Sequence, residues 1–412
     1  MRSRRQFLKD LAGGAAVVGS GAFLPSLARA ANTPAVGPAG LPAGTLETSF
    51  LEALPGKRPL IKRTYRPPNF ETPLEFFEQV FTPNDAFFVR YHLARIPEVT
   101  AAQWKLDVAG DSVEKPFTLD LAALKKDFEQ VEIPAVLQCS GNRRGLSDPH
   151  VAGVEWGIGA MGNARWKGVR LKDILAKAGL KKEAVEVVFN GADQAPLDST
   201  PDFVKSLPVW KANDENTLIA WQMNGAPLPH WNGAPARLVV PGWTGTYWMK
   251  HLVSVQAVSQ PLKNFWMAGA YRIPKGKFPI VDRFLTQETE ANTPITEMVV
   301  NSLLTGPREG QIVHVGEPVE VRGIAWDNGA GIAGVEVSAD EGRTWQPATL
   351  DQDMGRFSFR GFRHSFKASA PGDMTLLGKA TNRQGATQVS DLIFNPAGYH
   401  NNVVSRVKVR VA

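Results

Sequence analysis

Residues 135–144, Ala-Val-Leu-Gln-Cys-Ser-Gly-Asn-Arg-Arg, contain Cys139, the one cysteine in a chain of 412 residues. An apolar run ends there in a turn of small residues, and two arginines follow that would support a thiolate. A single cysteine forms no internal disulfide and supplies too few sulfurs for an iron–sulfur cluster or a covalently attached haem. The residues leave three roles open for Cys139: a nucleophile paired with a histidine, one soft ligand to a metal whose other ligands come from a cofactor, or a buried thiol without chemistry.

The N-terminus has the pattern of an export signal. Ser-Arg-Arg-Gln-Phe-Leu-Lys at 3–9 precedes a mildly apolar stretch, Leu11–Leu24, and a small-x-small cleavage site at Ala28–Ala30. This pattern predicts a twin-arginine signal peptide over residues 1–30, with an ordinary secretory signal as the alternative. Because that route exports folded chains, it favours a periplasmic protein that receives a complex cofactor before export. No later segment of the sequence has ~18 uninterrupted apolar residues, so the sequence predicts no membrane anchor.

Charge and composition indicate how the rest of the chain is organised. The formal charge of +6 falls to about +2 once the basic signal is removed, and no block of basic and aromatic residues predicts nucleic-acid binding. The Pro-, Gly- and Ala-rich residues 31–60 predict an extended arm. Residues 61–290 and 291–412 are predicted to form two domains.

The two predicted domains differ in periodicity. Residues 61–290 mix short strands, helices and turns, which predicts an irregular α+β domain; the apolar spacing within 166–179 (Val169, Ile174, Leu175 and Ala178, then Gly179) predicts a helix and its end. After Thr293, runs such as Val319–Arg322, Val335–Ser338, Phe357–Arg360 and Val407–Val411 alternate apolar and polar residues between turns. That alternation predicts an all-β, immunoglobulin-like sandwich.

Several polar residues are candidates for a site beside Cys139. Arg90 and His92 lie two apart in a predicted strand and therefore share a face, which is either a pocket wall or a solvated surface. Arg237 and Lys250 flank an apolar strand and a glycine loop, where cations hold a phosphate or are ordinary surface charges. Tyr271 has no local pattern that distinguishes a site residue from a core aromatic.

Five ordered blocks resemble one family: Phe-Phe-Val-Arg-x-His (87–92), Leu-Gln-Cys-x-Gly-Asn-Arg-Arg (137–144), Ala-Arg-Trp-x-Gly-Val-x-Leu (164–171), Met-Asn-Gly-x-Pro-Leu-Pro (223–229) and Val-Val-Pro-Gly (239–242). Together with the tail motif at 335–345, they resemble the sulfite oxidase family of molybdenum enzymes over about residues 60–412. Phe-Trp-Met-Ala-x-Ala-Tyr-Arg-Ile-Pro (265–274) and Asn-Pro-Ala-Gly-Tyr (395–399) are most similar to the bacterial periplasmic sulfite dehydrogenases. The resemblance implies a sulfite-oxidase-type molybdopterin-binding domain followed by a C-terminal dimerisation domain.

The resemblance also implies roles for individual residues. Cys139 is the single protein ligand to molybdenum, with the other sulfurs from the dithiolene of one molybdopterin. Arg90 binds the sulfite or sulfate oxyanion, with Tyr271 beside it and Arg144 in the same anion pocket, while Arg143 is structural beneath the turn. Trp156 walls the pocket and Trp166 belongs to the core. The residues implied to hold the cofactor are Phe88, Val89, Arg90, His92, Cys139, Asp193, His230, Asn232, Arg237 and Lys250.

The chain departs from vertebrate members at several points. It has Tyr91 in place of an asparagine and Asn232 in place of a histidine, so His230 is a second candidate for that contact. A pocket lysine is replaced around Ala152 and Gly153, and the Asn395-Pro-Ala-Gly loop lacks an arginine near the pocket. Fewer cations predict weaker anion binding.

The implied reaction is oxidation of sulfite to sulfate, with two electrons leaving singly. Because the chain has no Cys-x-x-Cys-His haem site, a separate c-type cytochrome is the expected acceptor, with the chain forming a homodimer or a heterodimer with a cytochrome subunit. Three alternatives are a sulfane-sulfur dehydrogenase, a sulfoxide reductase of the same family, and a cofactor-free exported binding protein. Bound molybdenum would exclude the last.

Overall fold

Short β-strands dominate the residues described by the computed structural model, which are 51–276 and 290–412. The predicted signal peptide and residues 31–50 of the predicted arm lie outside these residues. The strands before residue 295 are β1 (Leu51–Ala53), β2 (Pro59–Thr64), β3 (Asn69–Glu71), β4 (Val89–Arg90), β5 (Lys105–Ala109), β6 (Phe117–Asp120), β7 (Gln130–Gln138), β8 (Met161–Arg170), β9 (Glu186–Gly191), β10 (Val204–Pro208), β11 (Leu218–Met223), β12 (Ala226–Pro227), β13 (Arg237–Val239), β14 (Leu252–Val258), β15 (Arg272–Pro274) and β16 (Asn292–Pro294).

The helices of this first domain are short. The α-helices are α1 (Leu121–Lys126), α2 (Leu171–Ala178) and α3 (Val209–Ala212). Single 3₁₀ turns occupy Leu74–Phe77, Arg144–Leu146, His230–Asn232 and Gly245–Tyr247, and a π-helical turn occupies Phe265–Gly269. The domain is therefore mostly β, with less helix than the α+β prediction implied. No helix within residues 51–276 and 290–412 is long and apolar enough to cross a membrane.

The described strands before residue 295 form four sheets. Their strand orders are β1-β2-β3-β4, β10-β9-β14-β5-β6, β12-β11-β8-β7 with β13 added to β11, and β15-β16. The edge strand β7 pairs antiparallel with β8, from Gln130 opposite Val169 to Gln138 opposite Met161. Cys139 is the first residue beyond β7, so the longest ladder in this domain positions the loop that carries it.

The helix predicted within 166–179 begins later than its pattern indicated. Val169 belongs to β8, where it is fully buried and pairs with Gln130 and Ile219, and α2 starts at Leu171. The end is as predicted, because Gly179 adopts φ 69°, a conformation that glycine takes without strain. Where a buried strand runs directly into a helix, the apolar residues of both form one continuous pattern, and periodicity alone does not locate the boundary between them.

The second domain contains β17 (Asn301–Gly306), β18 (Ile312–Val313), β19 (Pro318–Trp326), β20 (Ile332–Ser338), β21 (Gln346–Pro347), β22 (Thr349–Leu350), β23 (Arg360–Lys367), β24 (Gly372–Asn382) and β25 (Ser405–Val411). They form two sheets, β17-β19-β23-β22 and β18-β25-β24-β20-β21. Leu304, Val321, Val335, Leu376 and Val409 from both sheets share one apolar core. The alternating pattern thus correctly predicted a two-sheet β domain, although Phe357 and Phe359 precede β23.

An apolar cluster joins the two domains beneath the Cys139 loop. Phe77, Val136 and Met161 pack with Leu303, Ile324 and Trp326 of the second domain. The Trp326 indole Nε1 donates a hydrogen bond of 2.5 Å to Gln138 Oε1, next to Cys139. The second domain therefore supports the loop that follows β7.

Candidate active site

Cys139 lies in the wall of a cavity that opens to solvent. Its amide donates to Ala160 O at 2.9 Å, and its carbonyl accepts from the amide of Asn142 at 3.0 Å, so the turn is fixed on both sides. The side chain is 8% exposed. Within the described residues, no group of three or more His, Cys, Asp or Glu side chains is placed to hold a metal ion. A metal at Cys139 would therefore take its remaining ligands from a cofactor or solvent.

Strand ends bring charged side chains to this cavity. Arg90 ends β4, Arg237 begins β13, and Asp193 and Lys250 lie two residues beyond the paired ends of β9 and β14. The antiparallel register of Leu252 with Gly191 places Lys250 opposite Asp193. Three cations and one carboxylate thus line the cavity, which favours an anionic ligand.

Arg237 is held rigidly. It is 2% exposed, and its Nη1 and Nη2 donate to the carbonyls of Asn232 and Trp248 at 2.8 and 2.9 Å. Burial lowers the pKa of Arg237 to about 9. Carbonyl acceptors satisfy its donors without neutralising its charge, so an anion in the cavity would supply the missing counter-charge.

Lys250 and Asp193 influence each other. The Lys250 Nζ donates to Arg90 O and lies 2.8 Å from the centroid of the Tyr91 ring. Burial lowers the pKa of Lys250 well below its ordinary value, and the Asp193 carboxylate opposes that shift. Burial likewise raises the pKa of Asp193, against the effect of Lys250. Both groups are therefore sensitive to any charge that enters the cavity.

Tyr271 organises the wall near Cys139. Its φ of 57° lies in the left-handed region, which is unusual for an aromatic residue and marks a constrained position. Its hydroxyl hydrogen-bonds to His92 Nε2 and accepts from Arg90 Nη2 at 3.4 Å. The His92 ring stacks on Phe203 at 3.5 Å, and burial lowers the pKa of His92 well below 6.5, so this imidazole is neutral at physiological pH.

Most of the sequence-predicted residues meet at this cavity. The lining includes Phe88, Arg90, His92, Cys139, Asp193, Asn232, Arg237, Lys250 and Tyr271. Val89, His230 and Arg144 are not among the described residues that line the cavity. Val89 points into a separate core with Phe70, because adjacent strand residues face opposite sides. His230 is exposed with its ring against Trp231, so of the two candidates it is Asn232 that lies in the wall.

Arg144 and Trp156, which the resemblance placed at the substrate pocket, lie outside the cavity lining. The Arg144 Nε donates to Ala397 O at 2.9 Å and its Nη1 to Val154 O at 3.3 Å. Arg143 donates to Ser302 O and Val403 O at 2.6 and 2.8 Å, which gives it the structural role expected. Trp156 is fully buried outside the lining, and Trp166 is a core residue whose indole donates to Ala135 O.

No pattern in the sequence identified two buried lysines, Lys57 and Lys205, as neighbours of site residues. Lys57 Nζ donates to Asn84 O, Phe87 O and Asn232 Oδ1 at 2.6, 3.0 and 2.6 Å, which fixes Asn232 from behind. Lys205 Nζ donates to Trp266 O at 2.6 Å and lies 5.2 Å from the Tyr271 ring centroid. Burial lowers the pKa of each to about 7. Neither belongs to a recognisable motif, and Lys57 lies 175 residues from Asn232.

Comparisons with known proteins agree with this geometry. Residues 92–266 match the oxidoreductase molybdopterin binding domain, and residues 292–412 match the Mo-co oxidoreductase dimerisation domain. Mitochondrial sulfite oxidase of Macaca fascicularis is 38% identical over 324 residues, 76% of this chain and 58% of that protein. The rat enzyme is 34% identical over 373 residues, 87% of this chain and 67% of that protein.

A solved structure has the same fold. The crystal structure of the sulfane dehydrogenase SoxCD from Paracoccus pantotrophus has a TM-score of 0.71 and 24% identity, covering 92% of each chain. The fold and the single-cysteine cavity define a molybdopterin-binding oxidoreductase domain joined to a dimerisation domain. The chain belongs to the sulfite oxidase family of molybdenum enzymes. It spans about 58% of the length of the first curated relative.

The residues of the cavity fit the cofactor of that family. Ser140 Oγ and Thr246 Oγ1 are buried in the lining and have no hydrogen-bond partner within the described part of the chain. Leaving such groups unpaired costs about 1–3 kcal/mol each, which a polar ligand would recover. The excess of cations suits a phosphorylated pterin, and the Cys139 thiol suits a thiophilic metal. The polar and charged groups of the cavity therefore match the chemistry of a molybdenum–molybdopterin cofactor.

Proposed function

We propose that this protein oxidises sulfite to sulfate at a molybdenum ion bound by Cys139 and one molybdopterin. The observation that carries the proposal is that the Cys139 thiol shares a cavity with Arg90, Arg237 and Lys250 against one carboxylate, Asp193. A soft metal ligand and an anion-binding wall are the two elements that oxidation of a small sulfur oxyanion requires. When bound, the molybdenum cofactor supplies the oxygen transfer and accepts the two electrons.

The chain's own groups bind and orient the substrate. The Arg90 guanidinium and the His92 imidazole both hydrogen-bond to the Tyr271 hydroxyl. Tyr271 and Arg90 therefore form one donor unit near Cys139. Because His92 is neutral, the positive charge of this unit resides on Arg90. These groups hold the oxyanion beside the metal ligand.

A different part of the wall holds the cofactor. Arg237 and Lys250 supply charge for a phosphate, and Asn232, fixed by Lys57, supplies an amide for the pterin edge. Ser140 and Thr246 add unpaired hydroxyls. This division assigns cofactor retention and substrate binding to different cations, which allows them to be tested separately.

The electrons leave singly to a separate c-type cytochrome in the periplasm, to which the chain is exported folded. The twin-arginine pattern at 3–9 supports this location. The match of residues 292–412 to a dimerisation domain supports a homodimer or a heterodimer with the cytochrome subunit. Charged residues at the rim would give the encounter a salt-dependent rate.

The test is sulfite-dependent reduction of ferricytochrome c by purified protein of verified molybdenum content. Rapid reduction supports a cytochrome-linked sulfite dehydrogenase. If molybdenum-loaded protein reduces cytochrome c with thiosulfate or a sulfane-sulfur donor and not with sulfite, the substrate assignment is wrong. Carefully prepared protein that contains no molybdenum would favour the cofactor-free binding protein instead.

A further inference from the structure

Lys205 is a buried lysine that contacts Tyr271 from outside the cavity. It lies in β10, is 1% exposed and is not part of the cavity lining. Its Nζ donates to Trp266 O at 2.6 Å and lies 4.7 and 5.2 Å from the ring centroids of Tyr247 and Tyr271. Within residues 51–276 and 290–412, no carboxylate forms an ion pair with it. A buried ammonium without an ion pair costs free energy that an apolar side chain would avoid, so its role lies in the groups that it contacts.

Two hydrogen bonds connect β10 to the π-helical turn that precedes Tyr271. Lys205 Nζ donates to the carbonyl of Trp266 in this turn, and Asn264 Nδ2, at its start, donates to Val204 O at 2.9 Å. The turn ends two residues before Tyr271. The position of β10 therefore determines where the chain enters Tyr271.

The backbone of Tyr271 requires restraint on both sides. Its φ of 57° lies in the left-handed region, and such a conformation persists in an aromatic residue only where the surrounding structure holds it. On the C-terminal side, the carbonyl of Tyr271 accepts from Ile295 N at 2.8 Å. On the N-terminal side, Lys205 holds the turn at Trp266 O and also contacts the Tyr271 ring. Loss of the ammonium should therefore allow the Tyr271 side chain to move.

The Tyr271 hydroxyl connects Lys205 to the anion-binding wall. This hydroxyl hydrogen-bonds to His92 and accepts from Arg90 Nη2 at 3.4 Å. Burial lowers the pKa of His92, and the charges of Arg90, Lys250 and Lys205 lower it further, so Lys205 lies close to this group. If the hydroxyl moves, the Arg90 guanidinium loses the contact that orients it toward the oxyanion.

We propose that Lys205 is a positioning residue for Tyr271 in the oxidation of sulfite. Its ammonium holds the turn at Trp266 and the Tyr271 ring, so that the Tyr271 hydroxyl remains bonded to the Arg90 guanidinium. This inference rests on the proposed function and deepens it, because it names a residue outside the cavity lining on which anion binding depends. Lys205 itself touches neither substrate nor cofactor.

The test variant is Lys205→Met, which keeps the apolar stem and removes the ammonium. We expect kcat/KM for sulfite to fall roughly 5-fold at wild-type molybdenum content. The matched control is Lys211→Met, because Lys211 is 4% exposed, donates to Pro241 O at 3.2 Å and lies 5.8 Å from the centroid of the Trp243 ring, outside the cavity lining. Lys211 also pairs with Asp214, so general destabilisation should appear at least as strongly in the control. A wild-type kcat/KM in Lys205→Met would overturn the proposal.

Asn264→Ala tests the same turn at a half-buried position and changes no charge. It removes the bond to Val204 O, and kcat/KM should fall roughly 3-fold, as for loss of one neutral hydrogen bond. If Lys205→Met does not fold, an unchanged kcat/KM in Asn264→Ala overturns the proposal by itself.

A double-mutant cycle distinguishes positioning from a general structural effect. If Lys205 acts through the Tyr271 hydroxyl, Lys205→Met should lower kcat/KM by less than about 2-fold in a Tyr271→Phe background. Equal fold-changes in the wild type and in Tyr271→Phe would show that Lys205 acts independently of that hydroxyl, and would overturn its positioning role.

A further readout does not depend on turnover. Sulfate stabilises a protein that binds it, so the rise in melting temperature with sulfate concentration reports anion binding. Lys205→Met should need roughly 5-fold more sulfate for the same rise, and Lys211→Met should need no more than the wild type. If molybdenum-loaded wild type neither oxidises sulfite nor responds to sulfate, the proposed function fails. If wild type does both and Lys205→Met matches it in both, only the Lys205 proposal fails.

Discussion

Charged side chains have different partners in the cavity and in the C-terminal β domain. In the C-terminal domain, Arg363 pairs with Asp351 at 3.4 Å and Lys379 with Glu336 at 3.0 Å, at partly exposed positions outside an apolar core. In the cavity, the donors of Arg237 bond to carbonyl oxygens, and three lining cations face one carboxylate. The first arrangement needs nothing further, whereas the second is complete only with an anion bound.

The largest expected effect concerns the metal ligand. Cys139→Ser should lower sulfite oxidation by more than the ~10–100-fold that changes around a metal ligand produce, because the thiolate itself is lost. Molybdenum content and its spectroscopic signature should change as well. The control is Ser147→Ala, which changes a buried serine after the same turn that lies outside the cavity lining. Activity and metal spectra like those of the wild type in Cys139→Ser would make Cys139 a spectator.

The next effect separates the two regions directly. Arg237→Met should reduce pterin affinity up to ~100-fold, because it removes charge from a rigid contact that the cofactor requires. The same substitution in the C-terminal domain, Arg363→Met, removes an exposed ion pair worth about 0–1 kcal/mol and should leave cofactor content unchanged. Molybdenum and pterin content per chain after gel filtration is the measurement. Equal retention in both variants would remove the distinction between the regions.

Substrate binding should be separable from cofactor retention within the cavity. Arg90→Met should raise the KM for sulfite roughly 30-fold through loss of a charged hydrogen bond, while molybdenum content stays at the wild-type level. Arg58→Met, which removes an exposed pair with Asp85 in the same domain, is the control. Equal loss of molybdenum in Arg90→Met and Arg237→Met would contradict the assignment of different roles to them.

The last prediction concerns the pH dependence of stability. Lys57 and Lys205 have a pKa of about 7 in the folded protein, below the 10.5 of an unperturbed lysine. Between these values the unfolded chain binds more protons, so the free energy of unfolding of the apoprotein should rise with pH from about 7 to 10.5, by up to ~1.4 kcal/mol per pH unit for each lysine.

Denaturant unfolding of the apoprotein across that range measures the slope. Lys205→Met should reduce the slope by the contribution of Lys205 while Lys57 still titrates, and Arg363→Met serves as the surface control. A slope that is the same in Lys205→Met and wild type would show that this lysine does not contribute.

The sequence predicted what periodicity and motifs encode. Val407–Val411 alternates because strand side chains alternate, and β25 follows that pattern. Trp166–Arg170 was wrongly included in a helix, since a buried strand gives no clean alternation. Motif position identified Cys139 and Arg237, but it does not specify a rotamer, so the direction of Arg144 emerged only from its contacts with Ala397 and Tyr399. Lys57 and Asn232 meet across 175 residues, a contact no local pattern reports.

The bonds of Arg143 have a consequence for biosynthesis. Its partners Ser302 and Val403 lie 159 and 260 residues later in the chain. At roughly 5–20 residues per second, the ribosome needs on the order of 10 to 50 seconds after making Arg143 before the last of these acceptors exists. The loop beside Cys139 therefore reaches its final form only after most of the second domain has been translated.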